Sequence, residues 1–136
     1  MEEEYHRLVN GVVESLPRKT KFGWHENVSI GRFQAIAFKL STLAAQIEVA
    51  RSFLYRVACL YDHGSEYRKE AAIVKVFCSE LAIRAAEEAM RIHAGAGYIR
   101  ESLVERYFRD AMLGYTTEGT TEIQQIAIVR QLRLFG

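Results

Sequence analysis

Hydrophobic residues recur at steps of three and four positions along most of this chain, which is the spacing of one face of an α-helix. The longest stripe predicts a helix over residues 32–63, and the next predicts one over residues 65–93. Shorter stripes predict helices over residues 103–113 and 121–134. The positions predicted to face inward are Phe33, Ile36, Leu40, Leu43, Ile47, Ala50, Leu54, Val57 and Tyr61, then Ala72, Val76, Phe77, Leu81, Ala85, Ala86 and Met90, then Val104, Phe108 and Met112, and finally Ile123, Ile126, Val129 and Leu132.

Two long helices joined by a short turn must lie antiparallel, and two further helices can cover the apolar face that remains. The sequence therefore predicts an all-α fold, an up-down four-helix bundle, and no stretch alternates with the period of a strand. Residues 1–15 have the pattern of another amphipathic helix, and the break in the pattern before residue 32 predicts an irregular connection. The predicted organisation is an N-terminal segment, residues 1–31, followed by a bundle over residues 32–136. A length of 136 residues suits one core.

The composition argues against several kinds of partner. The chain has 18 basic and 17 acidic side chains, a net charge of +1, which gives no electrostatic footprint for nucleic acid or an anionic membrane. No apolar run approaches the roughly 20 residues of a membrane span. The first four residues, Met-Glu-Glu-Glu, are acidic where a targeting peptide is basic, so we expect a cytoplasmic protein. Cys59 and Cys78 lack metal-site spacing, and we expect buried free thiols rather than a disulfide or a metal pair.

Two common site patterns are incomplete in this chain. A di-iron bundle needs paired Glu-x-x-His motifs, and that spacing occurs only from Glu3 to His6, so we expect no metal site. The segment Gly-Ala-Gly at residues 95–97 resembles the start of a dinucleotide fingerprint. Arg100 occupies the position of the third glycine, and a helix precedes the segment where a strand is required. The simpler interpretation is a helix C-cap and a tight turn, in which glycine supplies a positive φ and permits a close approach.

The segment over residues 115–124, Tyr-Thr-Thr-Glu-Gly-Thr-Thr-Glu-Ile-Gln, carries the most information. Thr121 and Gln124 have the spacing of a capping box, which places the start of the last helix here. A helix N-terminus offers unpaired N–H groups and a partial positive charge, both suited to an anion. Glu118 stands just before this helix, and Gly119 leaves space beside it. From spacing alone we favour the simpler interpretation, in which Glu118 complements the helix dipole from solvent.

A charged cluster precedes that segment. Glu105 and Arg109, and likewise Arg106 and Asp110, are opposite charges at i,i+4 spacing, whereas Glu101 repeats the charge of Glu105. Such pairs usually form a solvated or interhelical ion-pair face, and we favour that interpretation over catalysis.

Taken in order, several segments resemble motifs of the C-terminal helical domain of the acyl-CoA dehydrogenase flavoproteins, from about residue 22 to the end. Residues 18–23, Arg-Lys-Thr-Lys-Phe-Gly, resemble the family's Arg-x-x-Phe-Gly with one residue inserted, and Phe33-Gln34 resembles its Phe-Gln pair. Residues 91–98 resemble its Gln-x-x-Gly-Gly-x-Gly-Tyr turn, with Arg91 and Ala94 as departures. Residues 104–106 and 109–111 match the helix beyond, and residues 118–123 resemble Glu-Gly-Thr-x-(Gln/Glu)-Ile.

The resemblance implies a specific chemistry for Glu118. In the family, the matching glutamate removes the pro-R α-proton of an acyl-CoA thioester while the β-hydride passes to N5 of FAD. The α-proton is weakly acidic, so this role requires a dry pocket that raises the pKa of the carboxyl group toward the operating pH. Gly119 would let the thioester approach the backbone.

The resemblance also implies an FAD site. The family residues that match Thr120, Thr121 and Glu122 lie along FAD. Those that match Gln34 and residues 91–95 contact its adenosine and pyrophosphate end, typically on the FAD of a neighbouring subunit. The implied contacts are Gln34, Arg91, Ile92, His93, Ala94, Gly95, Thr120, Thr121 and Glu122, with Arg18 or Lys19 in the pyrophosphate role.

Complete family members carry an N-terminal helical domain and a middle β-domain, roughly two to three times the residues present here. We therefore expect a domain that is inactive alone and does not retain FAD. In the full enzyme the partners would be acyl-CoA, an electron-transfer acceptor and further copies in a dimer or tetramer. The alternative is a non-catalytic helical oligomerisation module derived from the family, which Arg91 and Ala94 favour and the intact Glu118-Gly119-Thr120 disfavours. A flavin oxidase or hydroxylase is a third interpretation, against which Glu118 argues.

Overall fold

The computed structural model describes residues 30–132, where the regular structure is entirely helical. The helices are α1 (Gln34–Asp62), α2 (Arg68–His93), the single turn α3 (Gly95–Tyr98), α4 (Leu103–Met112) and α5 (Thr121–Gln131), with 3-10 turns at Ile30–Arg32 and Leu113–Tyr115. The predicted all-α bundle with four principal helices is confirmed. The predicted helix over residues 1–15, the connection after it and the Glu3–His6 pair lie outside the described residues. The domain boundary at residue 31 stays a prediction.

The two long helices form an antiparallel hairpin. Gly64 ends the first of them with a φ of +65°, and the N–H of Ser65 donates to the carbonyl of Leu60 at 2.9 Å. This left-handed glycine is the helix stop that the turn chemistry predicts. Lys39 near the start of α1 pairs with Glu88 near the end of α2, which joins the open ends of the hairpin.

The central element is α2, which packs against α1, α4 and α5. Its Leu81 is completely buried, in a cluster that includes Ile47 and Ala85. A second cluster joins Ala89 of α2 to Val104 of α4, which is also fully buried. Because three helices rest on α2, it carries half of the buried residues among those described. They are Ala72, Val74, Leu81, Ala85, Ala86, Ala89 and Ile92.

Several positions predicted to face inward are not covered. Phe33 and Tyr61 of the first stripe are exposed, as are Met112 and most of the α5 set. The exposed fraction is 56% for Ile123 and 43% for Ile126, whereas Gln124 and Ala127 of the same helix, which packs on α2, are half-buried. Periodicity identifies an apolar face but does not reveal which neighbour covers it.

Both cysteines are free thiols, as predicted, but the prediction that both are buried is wrong. Cys59 is exposed, whereas Leu43, Ile47, Ala50 and Val57 of the same helix are buried. Cys78 is half-buried beside the Leu81 cluster, and burial raises the pKa of its thiol.

The predicted ion pairs on α4 are present. Arg109 contacts both carboxylate oxygens of Glu105, at 2.9 and 3.2 Å, and the Nε of Arg106 lies 3.5 Å from Asp110. The arginines are exposed, so these pairs contribute little to stability. Within residues 30–132, no helix is long and apolar enough to cross a membrane, and no three His, Cys, Asp or Glu side chains are grouped to hold a metal ion.

Candidate functional site

Glu118 lies in the short connection between α4 and α5, where the backbone takes an uncommon conformation. Its φ is +56°, and the φ of Gly119 is +95°, so two consecutive residues adopt positive φ. A residue with a Cβ pays roughly 1–2 kcal/mol for a left-handed conformation. The neighbouring contacts must therefore hold Glu118 in place.

The connection is anchored at its start. The Nζ of Lys75, on α2, donates a 2.7 Å hydrogen bond to the carbonyl of Gly114. A Cβ at Gly114 would lie 3.2 Å from the Cβ of Ser79, so the glycine permits close contact with α2. The N–H and hydroxyl of Thr117 both donate to the carbonyl of Leu113, each at 2.9 Å. These bonds fix the chain up to the residue before Glu118.

The N-cap of α5 is one residue earlier than the capping box predicts, since that box begins at Thr121. Thr120 is the N-cap, and its Oγ1 accepts from the N–H of Ile123 at 3.5 Å. Thr121 is the first helical residue, and its buried Oγ1 has no hydrogen-bond partner among residues 30–132. The side chain of Gln124 donates instead to the carbonyl of Glu118, at 2.9 Å. Adjacent threonines have the same capping chemistry, so sequence spacing alone does not choose between them.

Glu122 lies in the first turn of α5 and is held in its ionised form. Its own backbone N–H and the hydroxyl of Thr120 donate hydrogen bonds that lower the pKa of its carboxyl group, and the charge of Lys75 lowers it further. A negative charge at this position also complements the helix N-terminus. Lys75 thus lies near both ends of the connection that carries Glu118.

The carboxylate of Glu118 does not lie in a dry pocket within the described residues. Its side chain is exposed, and Gly119 beside it is half-buried. A catalytic base at this position would therefore need its desolvation from atoms outside residues 30–132. What this part of the chain contributes is the fixed backbone from which the carboxylate projects.

The second group of predicted site residues surrounds the end of α2. Arg91 is exposed, and its guanidinium contacts Glu87 at 2.6 Å and Glu88 at 3.3 Å. The Nδ1 of His93 is 2.8 Å from the carbonyl of Ala89, which implies that Nδ1 carries the hydrogen. Ile92 is buried, so its side chain belongs to the core.

The positive φ predicted for a glycine falls on Ala94 instead. Ala94 has φ +49° and ψ −133°, and Gly95 after it begins α3. The predicted close approach belongs to Gly97, where a Cβ would lie only 2.9 Å from the carbonyl oxygen of Met90. The turn therefore separates two roles, a strained backbone at Ala94 and a tight contact at Gly97.

Replacing Ala94 by glycine should stabilise the chain by about 1 kcal/mol, because strain of roughly 1–3 kcal/mol is partly offset by greater freedom of the unfolded chain. Urea unfolding of the 136-residue chain measures the change. Ala96→Gly is the matched control, since Ala96 is exposed within α3, and it should destabilise by about 0.5–1 kcal/mol. Equal losses from both substitutions would contradict strain at Ala94.

The structure forms two separate groups of candidate residues. Gln34 is exposed at the start of α1, at the same end of the hairpin as residues 91–95, because Lys39 and Glu88 pair there. The Glu118 group lies toward the other end of α2, beside Lys75. Lys75 and Arg91 are sixteen residues apart on α2, about 24 Å along the helix axis. Arg18 and Lys19 lie outside the described residues.

Sequence reasoning missed Lys75 and the actual partner of Gln124. A signal for Lys75 exists, because it is the only charged residue in the run Ala-Ala-Ile-Val-Lys-Val-Phe over residues 71–77. A lysine inside such a run needs a polar partner for its ammonium group, and the carbonyl of Gly114 provides one.

Comparison with known proteins places this arrangement in one family. The family model described as acyl-CoA dehydrogenase, C-terminal domain, matches residues 5–133. The chain is 50% identical over 103 residues to a probable acyl-CoA dehydrogenase, YngJ, of Bacillus subtilis, covering 76% of this chain and 27% of that protein. The structure of butyryl-CoA dehydrogenase from Megasphaera elsdenii matches 94% of this chain and 32% of its own length, with 34% identity and a TM-score of 0.82.

The FAD complex of PigA is also similar, at 26% identity with a TM-score of 0.83, and covers 97% of this chain and 33% of its own. The chain thus spans between about a quarter and a third of the length of these relatives. The match to the family model, the relatives and the helical architecture agree, and the chain belongs to the acyl-CoA dehydrogenase family, of which it represents the C-terminal domain.

Proposed function

We propose that this chain supplies the catalytic base of an FAD-dependent acyl-CoA dehydrogenase, which introduces a double bond between the α and β carbons of an acyl-CoA thioester. The observation that carries the proposal is the fixed connection before α5, which presents the carboxylate of Glu118 beside Gly119. The carboxylate would accept the α-proton. Gly119 has no side chain that would obstruct the approach of the thioester.

Support for a flavin contact comes from the first turn of α5. The buried Oγ1 of Thr121 has no partner among residues 30–132, and a buried hydroxyl normally has one. The backbone N–H groups of a first helical turn likewise lack partners within their helix. Thr120, Thr121 and Glu122 would hold FAD at this edge. The chemistry that FAD supplies when bound is acceptance of the β-hydride at N5.

Gln34 and residues 91–95 would contact a different FAD molecule, held by another copy of the chain. Arg91 lies about 24 Å along α2 from Lys75, which is beside the Glu118 connection. This separation supports the assignment, since the end of the hairpin that carries Gln34 and residues 91–95 lies far from Glu118. Arg91 would exchange its bonds with Glu87 and Glu88 for a phosphate, which accepts a charge-assisted pair of bonds from a guanidinium. The proposal therefore includes a homo-oligomer.

The complete protein would use acyl-CoA as its substrate and pass electrons to a separate acceptor, whereas this chain alone would be inactive and free of FAD. Support comes from the coverage of the relatives and from the exposure of Glu118. The test is to purify the longer protein and to mix it without oxygen with butyryl-CoA. Bleaching of the flavin absorbance is the expected result. A yellow protein that stays unbleached by short and long acyl-CoA thioesters would refute the proposal.

The second candidate is a non-catalytic helical module whose function is to form oligomers. The pairing of Arg91 with two carboxylates and the alanine at a positive-φ position favour it, because both are departures from the flavin-contact motif. The same purification separates the candidates. A stable oligomer that never contains flavin, even after FAD is added, would support the module.

A further inference from the structure

We propose that Gln124 is a positioning residue for Glu118, and this inference rests on the proposed function of Glu118 as the base. The Nε2 of Gln124 donates a 2.9 Å hydrogen bond to the main-chain carbonyl of Glu118. This bond sets the direction in which the carboxylate leaves the connection. Gln124 does not touch the substrate in this role.

The peptide group between Glu118 and Gly119 joins two residues with positive φ. Glycine populates both signs of φ with similar ease, so this peptide can rotate when the φ of Gly119 and the ψ of Glu118 change together. Such a rotation would turn the Glu118 carbonyl away from Gln124, and the backbone that carries the carboxylate would lose its tie to α5. The bond from Gln124 ends on that carbonyl oxygen and opposes the rotation.

Gln124 is itself well anchored. Its backbone N–H donates to the carbonyl of Thr120 at 3.1 Å, which closes the first turn of α5, and its side chain is half-buried against the bundle. The amide therefore extends from a rigid helix toward the connection. The contacts of Lys75 and Thr117 hold the other end of the connection, so the Gln124 bond completes the support of Glu118.

Gly119 provides the room that this bond needs. A Cβ at Gly119 would lie 2.9 Å from the Nε2 of Gln124, closer than carbon and nitrogen atoms pack. The absence of a side chain at Gly119 therefore serves the positioning bond as well as the approach of the thioester. Because a carbonyl only accepts, the residue at 124 must donate, which the amide of glutamine does and a carboxylate does not.

The test compares Gln124→Met with Gln125→Met in the complete flavin-containing protein. Methionine matches the length of glutamine but has no donor, and Gln125 is exposed on the neighbouring position of α5. For Gln124→Met we expect kcat for butyryl-CoA to fall about 10-fold or more while KM and flavin content stay within twofold, because small displacements of a reacting group cost large factors in rate. Gln125→Met should leave all three unchanged.

Gln124→Glu provides a second variant, since it keeps the size of the side chain and loses the donor. Its kcat should fall at least as far as that of Gln124→Met, with flavin still bound. If both variants at position 124 keep kcat within twofold of the unsubstituted protein, the positioning role is refuted. In that case a large loss in Glu118→Gln would leave the proposed function intact, whereas no loss in Glu118→Gln would refute the proposed function itself.

Discussion

Glu118→Gln in the complete protein should lower exchange of the acyl-CoA α-proton with solvent by at least about 100-fold, with the yellow flavin still bound. The amide has nearly the shape of the carboxylate but does not accept a proton at neutral pH, and a positioned general base contributes roughly 100- to 10,000-fold. Glu118 is exposed, and the Gln124 bond ends on its backbone, so the substitution leaves the fold of the connection intact. Loss of deuterium from α-deuterated butyryl-CoA, followed by mass spectrometry, measures the exchange.

The control for this prediction is Glu101→Gln. Glu101 is exposed near the start of α4 and has no assigned part in the site, so its substitution should leave the exchange rate unchanged. Flavin absorbance in both variants shows whether the cofactor is retained. An unchanged exchange rate in a flavin-containing Glu118→Gln protein would remove Glu118 from the role of base.

The two long helices were predictable because both have a periodic apolar face and a local stop. Leu43, Ile47 and Ala50 follow the helical spacing and are buried together, and Gly64 ends α1 with the positive φ expected of a helix stop. These signals are local in sequence, so a single chain reveals them.

Features that depend on a distant partner were not predictable to the same degree. Ile123 and Ile126 of α5 have the spacing of a core face, yet both stay exposed although α5 packs on α2. The positive φ at the end of α2 falls on Ala94, and the close approach to Met90 falls on Gly97, three residues after Ala94. Each of these outcomes depends on packing between segments that the pattern describes separately.

The candidate site shows the same division. The order of Glu118, Gly119 and Thr120 before a helix could be read from the chain, since capping residues are local signals. The bond from Lys75 to Gly114 joins α2 to the 3-10 turn at Leu113–Tyr115, which lies far from α2 in sequence, and spacing does not choose Thr120 over Thr121 as the N-cap. The dry environment that the family resemblance implies for Glu118 is not provided by residues 30–132.

Leu81→Ala should destabilise the chain by about 2–5 kcal/mol, because it leaves a cavity where a completely buried side chain packs against the Ile47 cluster. A domain of this size has a free energy of unfolding of roughly 5–15 kcal/mol, so the loss is a large fraction of the total. Urea unfolding followed by circular dichroism measures it. Leu103→Ala is the control, since Leu103 is 57% exposed on α4, and should change stability by about 0.5 kcal/mol.

The consequence of Leu81→Ala for the site follows from the position of Leu81 between the two candidate groups. Lys75 lies six residues before it on α2, and Arg91 lies ten residues after it. Loosening this helix should therefore weaken the anchoring of the Glu118 connection and the turn at residues 91–97 together. If hydrogen exchange in Leu81→Ala increases at only one of these segments, α2 does not couple them, and the two groups owe their positions to separate contacts.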